Sequence, residues 1–275
     1  MLELLGLAAL GFAVGAYGTV IGAGGGFILV PVLIFLYPDY DPEHVTAISL
    51  AVVTANATSG SVAYARQRRI DYVTGLLFAA ASVPGVIAGA LVVHLVPERL
   101  FTGLFGAMLL ALAAFSIRGT SGGAIRPPQR GPGVLLREVR DPEGRVYRYG
   151  YKVWQGVALS VVIGFVSSLF GIGGGVIQVP AMIVLLHMPI HFAVATSQFV
   201  LAFMTGGASA VHLLTGSLSG DELVKVLALA AGAVPGAQAG ALIAPRIKGR
   251  VVLRLLAAAI LVLGARLMLR AIAGV

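Results

Sequence analysis

The sequence predicts an all-α polytopic membrane protein folded as an inverted repeat, with a glycine-broken hairpin, re-entrant or made of short helices, in each half. Three observations predict it. The chain is 58% hydrophobic and 11% charged, against about 25% charged residues in soluble domains, and its mean hydropathy is +0.96. A glycine run occurs twice, as GTVIGAGGGFILVP from Gly18 to Pro31 and as SSLFGIGGGVIQVP from Ser167 to Pro180. Basic loops of one half match loops of the other half that are not basic.

Apolar segments run over Leu2–Ile21, Val45–Ala65, Tyr72–Val96 and Leu100–Ile117, then over Val153–Phe170, His191–Leu214, Leu223–Ala244 and Val251–Ile272. Each is near the roughly twenty residues that a spanning helix needs. Consecutive glycines weaken a helix by about 1 kcal/mol each relative to alanine and permit positive φ, so both helices are expected to break at the runs. Phe27–Leu36 and Val176–Leu186 follow the runs and are too short to cross a bilayer untilted; they read as half-helices. From Arg118 to Lys152 the chain is polar and basic, with Arg126, Arg130, Arg137, Arg140, Arg145 and Arg148. Within it VLLREVRDPEGRVYRYG alternates about Asp141-Pro142-Glu143-Gly144, which suggests a small β-hairpin, a disordered linker being the alternative. The expected organisation is a first membrane repeat at 1–117, a cytoplasmic basic linker at 118–152 and a second, inverted repeat at 153–275.

Aligning Gly22 with Gly171 places Gly24, Gly25 and Gly26 on Gly173, Gly174 and Gly175, and Pro31 on Pro180. The match continues beyond the runs. Ala47-Ile48-Ser49 corresponds to Ala195-Thr196-Ser197, the stretch ending at Tyr64 to that ending at His212, and Val83-Pro84-Gly85 to Val234-Pro235-Gly236. Such duplication is the mark of an internal repeat. The loop with Arg66, Arg68 and Arg69 corresponds to one with Asp221 and Glu222, whereas the nearly neutral Pro97-Glu98-Arg99 corresponds to a loop with Arg246, Lys248 and Arg250. If basic loops stay cytoplasmic, the halves are inverted, the central loop is inside and both termini are outside. Arg266 and Arg270 then fall on the outer side, where snorkelling accommodates them.

Composition excludes several classes of function. No cysteine is present, so there are no disulfides, thiolate metal sites or sulfur relay. The five histidines form no ligand cluster, and neither a metal nor a cofactor is expected. The net charge of +8 reflects basic loops between apolar spans, not a nucleic-acid surface. No basic region precedes the first apolar span, which reads as mature sequence and not as a signal peptide. Every acidic residue lies in a loop or near a segment end, so a cation pump or carboxylate proton relay at mid-membrane is disfavoured.

Neutral groups are left at mid-depth. A broken helix exposes unpaired N–H groups at the start of its second half, where the dipole places about half a positive charge, and glycine lets an oxyanion come close. In an inverted repeat two such breaks face each other. Gly22, Gly24, Gly25 and Gly26 with Gly171, Gly173, Gly174 and Gly175 are therefore candidate binding residues for one small anion, glycines serving only close packing being the alternative. Ser49, Thr54, Asn56 and Ser59 of the first half and Thr196, Ser197, Gln198, Thr205 and Ser209 of the second offer hydroxyl and amide donors. Interhelical hydrogen bonding is their other role; Ser49, Asn56, Ser197 and Gln198 join the candidate set. Gln178, in the second run where the first has Leu29, joins it too. Tyr64 and its match His212 are candidates for a gate or a proton carrier, with a satisfied interfacial residue as the alternative.

GAGGGFILVP, GIGGGVIQVP, the downstream AIS and ATS triplets and the duplicated proline–glycine helices resemble the TauE/SafE (TSUP) family of sulfite and organosulfur anion exporters. The resemblance covers essentially the whole membrane part. It implies transport of a small anion without ATP hydrolysis, with sulfite, sulfonates or related organosulfur anions as substrates. Related thiosulfate transporters look similar in using cysteines; none is present here, so that relay is not expected. The resulting expectation is a secondary transporter in the cell membrane, an exporter working by alternating access and driven by a coupling proton or by the membrane potential, whose partners are the anion and the lipid bilayer. An anion channel-like conduit is the rival reading. An intramembrane hydrolase is weaker, because no GxSxG motif is present and no acid is expected at membrane depth to orient a base.

Overall fold

The computed structural model describes residues 1–119, 131–218, 220–247 and 249–273. Linker residues Arg126 and Arg130, and Lys248, lie outside them. The first half comprises α1 (Leu2–Ile21), α2 (Gly26–Leu36), α3 (Pro42–Arg66), α4 (Tyr72–Val92) and α5 (Glu98–Gly119). The second repeats the order with α6 (Val153–Phe170), α7 (Gly175–Val184), α8 (Ile190–Leu214), α9 (Gly220–Ile243) and α10 (Gly249–Ala273). Pro42 opens α3, where its missing N–H costs no bond, and Asp71 caps α4 by accepting from the N–H groups of Val73 and Thr74.

Among the described residues, α1, α3, α4, α6, α8 and α9, with the short turns that extend α4 and α9, are long and apolar enough to cross a membrane. Large apolar side chains such as Leu76, Val162, Phe203 and Leu227 are exposed, as a lipid-facing surface requires. Apart from one hairpin, the regular elements among the described residues are all α-helical, those of a multi-pass membrane protein.

The halves interlock. α1 packs most extensively on α9, α4 on α6, and α5 on α10. Glycines set the distance: a Cβ on Gly85 would lie 2.0 Å from the Val161 carbonyl oxygen, and one on Gly236 2.4 Å from that of Phe12. Only a residue without a side chain permits such close crossings. At the centre α3 and α8 run antiparallel. Ser217, just beyond α8, donates to Glu43 at the start of α3, whereas the N–H of Asp71, beyond the end of α3, donates to Thr196 near the start of α8.

The central segment contains β1 (Val134–Arg140) and β2 (Val146–Lys152), antiparallel, with Val134 opposite Lys152 and Arg140 opposite Val146. Between them lies Asp141-Pro142-Glu143-Gly144, where the Gly144 N–H donates to the Asp141 carbonyl at 3.0 Å and Gly144 has φ of 82°. The buried face of the hairpin docks on the start of α4. Arg137 donates twice to the Asp71 carboxylate, at 3.0 and 2.7 Å, Tyr149 donates to the same group, and Tyr151 donates to Thr74 at 3.1 Å. Burial raises the Asp71 pKa, but the hydrogen bonds from Arg137, Tyr149 and Thr74 and the charge of Arg137 outweigh it and hold the carboxyl below its ordinary range.

Candidate functional site

Two turns form the centre of the molecule. Gly22, Gly24 and Gly25 have φ of 75°, 71° and 85°, and Gly171, Gly173 and Gly174 have 69°, 79° and 79°. The two runs thus share a backbone conformation that side chains beyond glycine adopt only with strain. They also touch. A Cβ on Gly26 would lie 2.7 Å from the Gly171 carbonyl oxygen, and one on Gly175 would lie 2.3 Å from that of Gly22. The start of each half-helix is therefore pressed against the turn of the opposite half.

Hydrogen-bond accounting separates the two sides of each turn. The half-helices make their first bonds from Ile28 to the Gly25 carbonyl and from Ile177 to the Gly174 carbonyl, both at 3.0 Å. Among the described residues, the N–H groups of Gly25, Gly26 and Phe27, and of Gly174, Gly175 and Val176, donate to no backbone carbonyl. These are the orphan donors of a helix start, at the positive end of its dipole. The carbonyl side is served by the central helices. Ser49 donates to the Gly171 carbonyl at 2.6 Å and Ser197 to the Gly22 carbonyl at 2.9 Å, so each serine serves the other half's turn. Asn56 donates to the Gly24 carbonyl at 3.1 Å and accepts from Thr19 at 3.3 Å, while Gln198 donates to the Thr19 hydroxyl at 2.9 Å.

A sequence model of the family described as sulfite exporter TauE/SafE matches residues 7–267. The chain belongs to the TauE/SafE family. It is 33% identical over 269 residues to the "Probable membrane transporter protein YunE" of Bacillus subtilis (strain 168), covering 95% of this chain and 96% of that one. It is 27% identical over 215 residues to the "Probable membrane transporter protein MJ0441" of Methanocaldococcus jannaschii, covering 76% and 72%. To the "Probable membrane transporter protein YjnA" of Bacillus subtilis it is 26% identical over 264 residues, covering 94% and 97%. No solved structure matches. The family is one of membrane transporters and not of enzymes.

In this TauE/SafE protein the eight candidate glycines lie together and buried, with Ser49, Asn56, Ser197 and Gln198 around them. The donors of Ser49, Ser197 and the Asn56 amide are engaged by the turns themselves; among the described residues the open donors are the backbone N–H groups and the buried hydroxyls of Thr46, beside Gly171, and Ser168. Gln198 Oε1 and Gln178 Oε1 are buried without partners among the described residues. Thr54 lies 3.0 Å from the Thr205 hydroxyl and 3.2 Å from that of Ser209, joining α3 to α8, and Ser59 donates to the Val234 carbonyl of α9 at 2.8 Å. Tyr64 donates to the Thr19 carbonyl at 2.8 Å. His212 is fully buried, and among the described residues neither ring nitrogen has a partner. Thr19 is a residue that the sequence reading passed over, although it joins Asn56, Gln198 and Tyr64. The available signal was the hydroxyl at the matching place in both runs, Thr19 and Ser168. Among the described residues no group of His, Asp or Glu is placed to hold a metal.

Proposed function

We propose that this TauE/SafE chain is a secondary transporter that exports a small sulfur-containing anion, sulfite or an organosulfonate, across the cell membrane by alternating access. The anion is held between the two glycine turns. The observation that carries this reading is the meeting of the α2 and α7 starts with the N–H groups of Gly25 to Phe27 and Gly174 to Val176 unpaired. Two helix starts contribute about half a positive charge each, which suits an anion and no cation. The family's description as sulfite exporters supplies the substrate class. In this structure the turns are in contact, so the anion binds when the halves part. The antiparallel α3 and α8 and the matched turn conformations support reading the halves as inverted repeats that rock against each other. The end with Arg66, Arg68, Arg69 and the hairpin is cytoplasmic.

Purified protein tests the reading through its unfolding temperature in the presence of sulfite, sulfate, thiosulfate, taurine and sulfoacetate. A bound anion at 100 times its Kd adds about 2.7 kcal/mol of stability, a shift of several degrees that only the transported anions produce. Gly25→Val with Gly174→Val fills both turns and abolishes the shift; equal sulfite binding by variant and wild type would refute the clamp.

A further inference from the structure

His212 is one of several buried polar side chains without a hydrogen-bond partner among the described residues, with Thr46, Ser61 and Ser168, and of these four it is the titratable one. Its ring is 0% exposed, and among the described residues neither Nδ1 nor Nε2 has a hydrogen-bond partner. A neutral imidazole carries one donor and one acceptor, and burying either unpaired is unfavourable. The matching residue of the first half, Tyr64, is equally buried but donates to the Thr19 carbonyl. The two halves therefore differ in chemistry at this position. One holds a partnered phenol, the other an unpartnered group of the type that titrates in the physiological range.

The surroundings of His212 lead outward. Beyond α8 the chain folds back, with the Ser217 N–H donating to the His212 carbonyl at 3.0 Å and the Thr215 hydroxyl donating to it at 3.2 Å. The Ser217 hydroxyl donates to the Glu43 carboxylate. Glu43 in turn lines a cavity of about 330 Å³ together with Asp41, His94 and Glu98. Helices packed against α8 carry Glu3 and Tyr17 on α1, Glu43, His44, Tyr64 and Arg66 on α3, and Tyr72 on α4; α6 and α7 carry no titratable group. Of these, Glu43 is tied to the end of α8 that carries His212, through the Ser217 hydroxyl.

We propose that His212 is a proton-binding site, loaded from this cavity by way of Glu43, and that its protonation couples a proton to the transport cycle; the coupling rests on the transport reading above. The step moves one proton from water or a carboxylic acid of the cavity to a ring nitrogen and back, and only O–H and N–H bonds change. An acid-lined cavity concentrates protons at its mouth. Once protonated, both ring nitrogens are donors, and the anion tied to this end of α8 is Glu43, through Ser217. Because α8 also carries Ser197 and Gln198, a shift of α8 toward the start of α3 reaches the glycine turns.

The full chain in liposomes on a solid-supported membrane tests the proton site without any anion substrate. A jump in pH produces a transient charge displacement in the wild type. His212→Gln loses most of it, and Glu43→Gln slows it; an undiminished displacement in His212→Gln overturns the site. His212→Tyr, which installs the residue of the first half, serves as the second variant if glutamine prevents folding. Sulfite counterflow, which needs no gradient, then persists in the histidine variants, whereas the wild type's accumulation under a one-unit pH gradient, about tenfold at one proton per anion, is lost. Wild-type accumulation retained in both histidine variants overturns the coupling. Absence of sulfite counterflow in the wild type overturns the transport reading instead, and the charge displacement alone then decides the proton site.

Discussion

Ser49 and Ser197 show how much of the site is determined by single hydroxyls. Each donates to a glycine carbonyl of the opposite half, so each removes the unpaired acceptor that a broken helix would otherwise bury. Losing one such donor leaves a buried carbonyl unsatisfied at a cost of about 1–3 kcal/mol. Ser49→Ala and Ser197→Ala are each expected to lower the unfolding temperature by several degrees, and the double variant to depart from the sum because the two turns they serve are in contact. An unfolding temperature unchanged by either substitution would contradict the assignment. Both serines were readable as matched polar positions on matched segments. Their partners were not, because a sequence does not say whether a hydroxyl faces a ligand or the backbone of another helix. Thr19 was hidden for a related reason: a threonine within a helix usually bonds its own preceding turn, and here it accepts from a helix 179 residues away.

At the scale of elements, the hairpin is fastened to the membrane part through Asp71. Removing one member of a buried ion pair strands the other at a cost on the order of 3 kcal/mol. Arg137→Gln and Asp71→Asn are accordingly expected to release β1 and β2, seen as faster protease cleavage between Asp141 and Arg145. The folded Asp71 pKa lies below its ordinary value. Its contribution is therefore full above the unfolded pKa of about 3.9 and is lost as pH falls through the lower folded value. Cleavage is predicted to be constant near neutral pH and to accelerate only in acid, an acceleration absent from Asp71→Asn; cleavage that rises between about pH 8 and 6 would contradict this. The alternation around Asp141-Pro142-Glu143-Gly144 made the strands legible. Their docking was not, since Asp71 reads as one more loop acid and its partner Arg137 lies 66 residues further on.

For the whole molecule, helix positions were the most legible feature. The apolar segments Leu2–Ile21 and Val153–Phe170 coincide with α1 and α6, because membrane helices carry their signal in length and apolarity alone. The exchange of partners between halves, α1 with α9 and α4 with α6, was invisible, since a repeat alignment states which segments correspond and not which touch. Charge sorts to the two ends. Asp41, Glu43 and Glu98 gather around one cavity, while Arg69 and Arg137 pair with Glu143 and Asp71 at the other end. Arg266, a cation on the acid-rich side, stacks 4.8 Å from the Phe35 ring centre, which gives it a partner there. Tags at either terminus are expected to be protease-accessible on intact cells, and protection of both would reverse the orientation. The central claim, an anion held between the two glycine turns, is tested most directly by anomalous diffraction from crystals grown with selenite in place of sulfite. A selenium peak is expected within hydrogen-bonding distance of the N–H groups of Gly25 to Phe27 and Gly174 to Val176. Selenite bound elsewhere, with these turns still closed on each other, would contradict it.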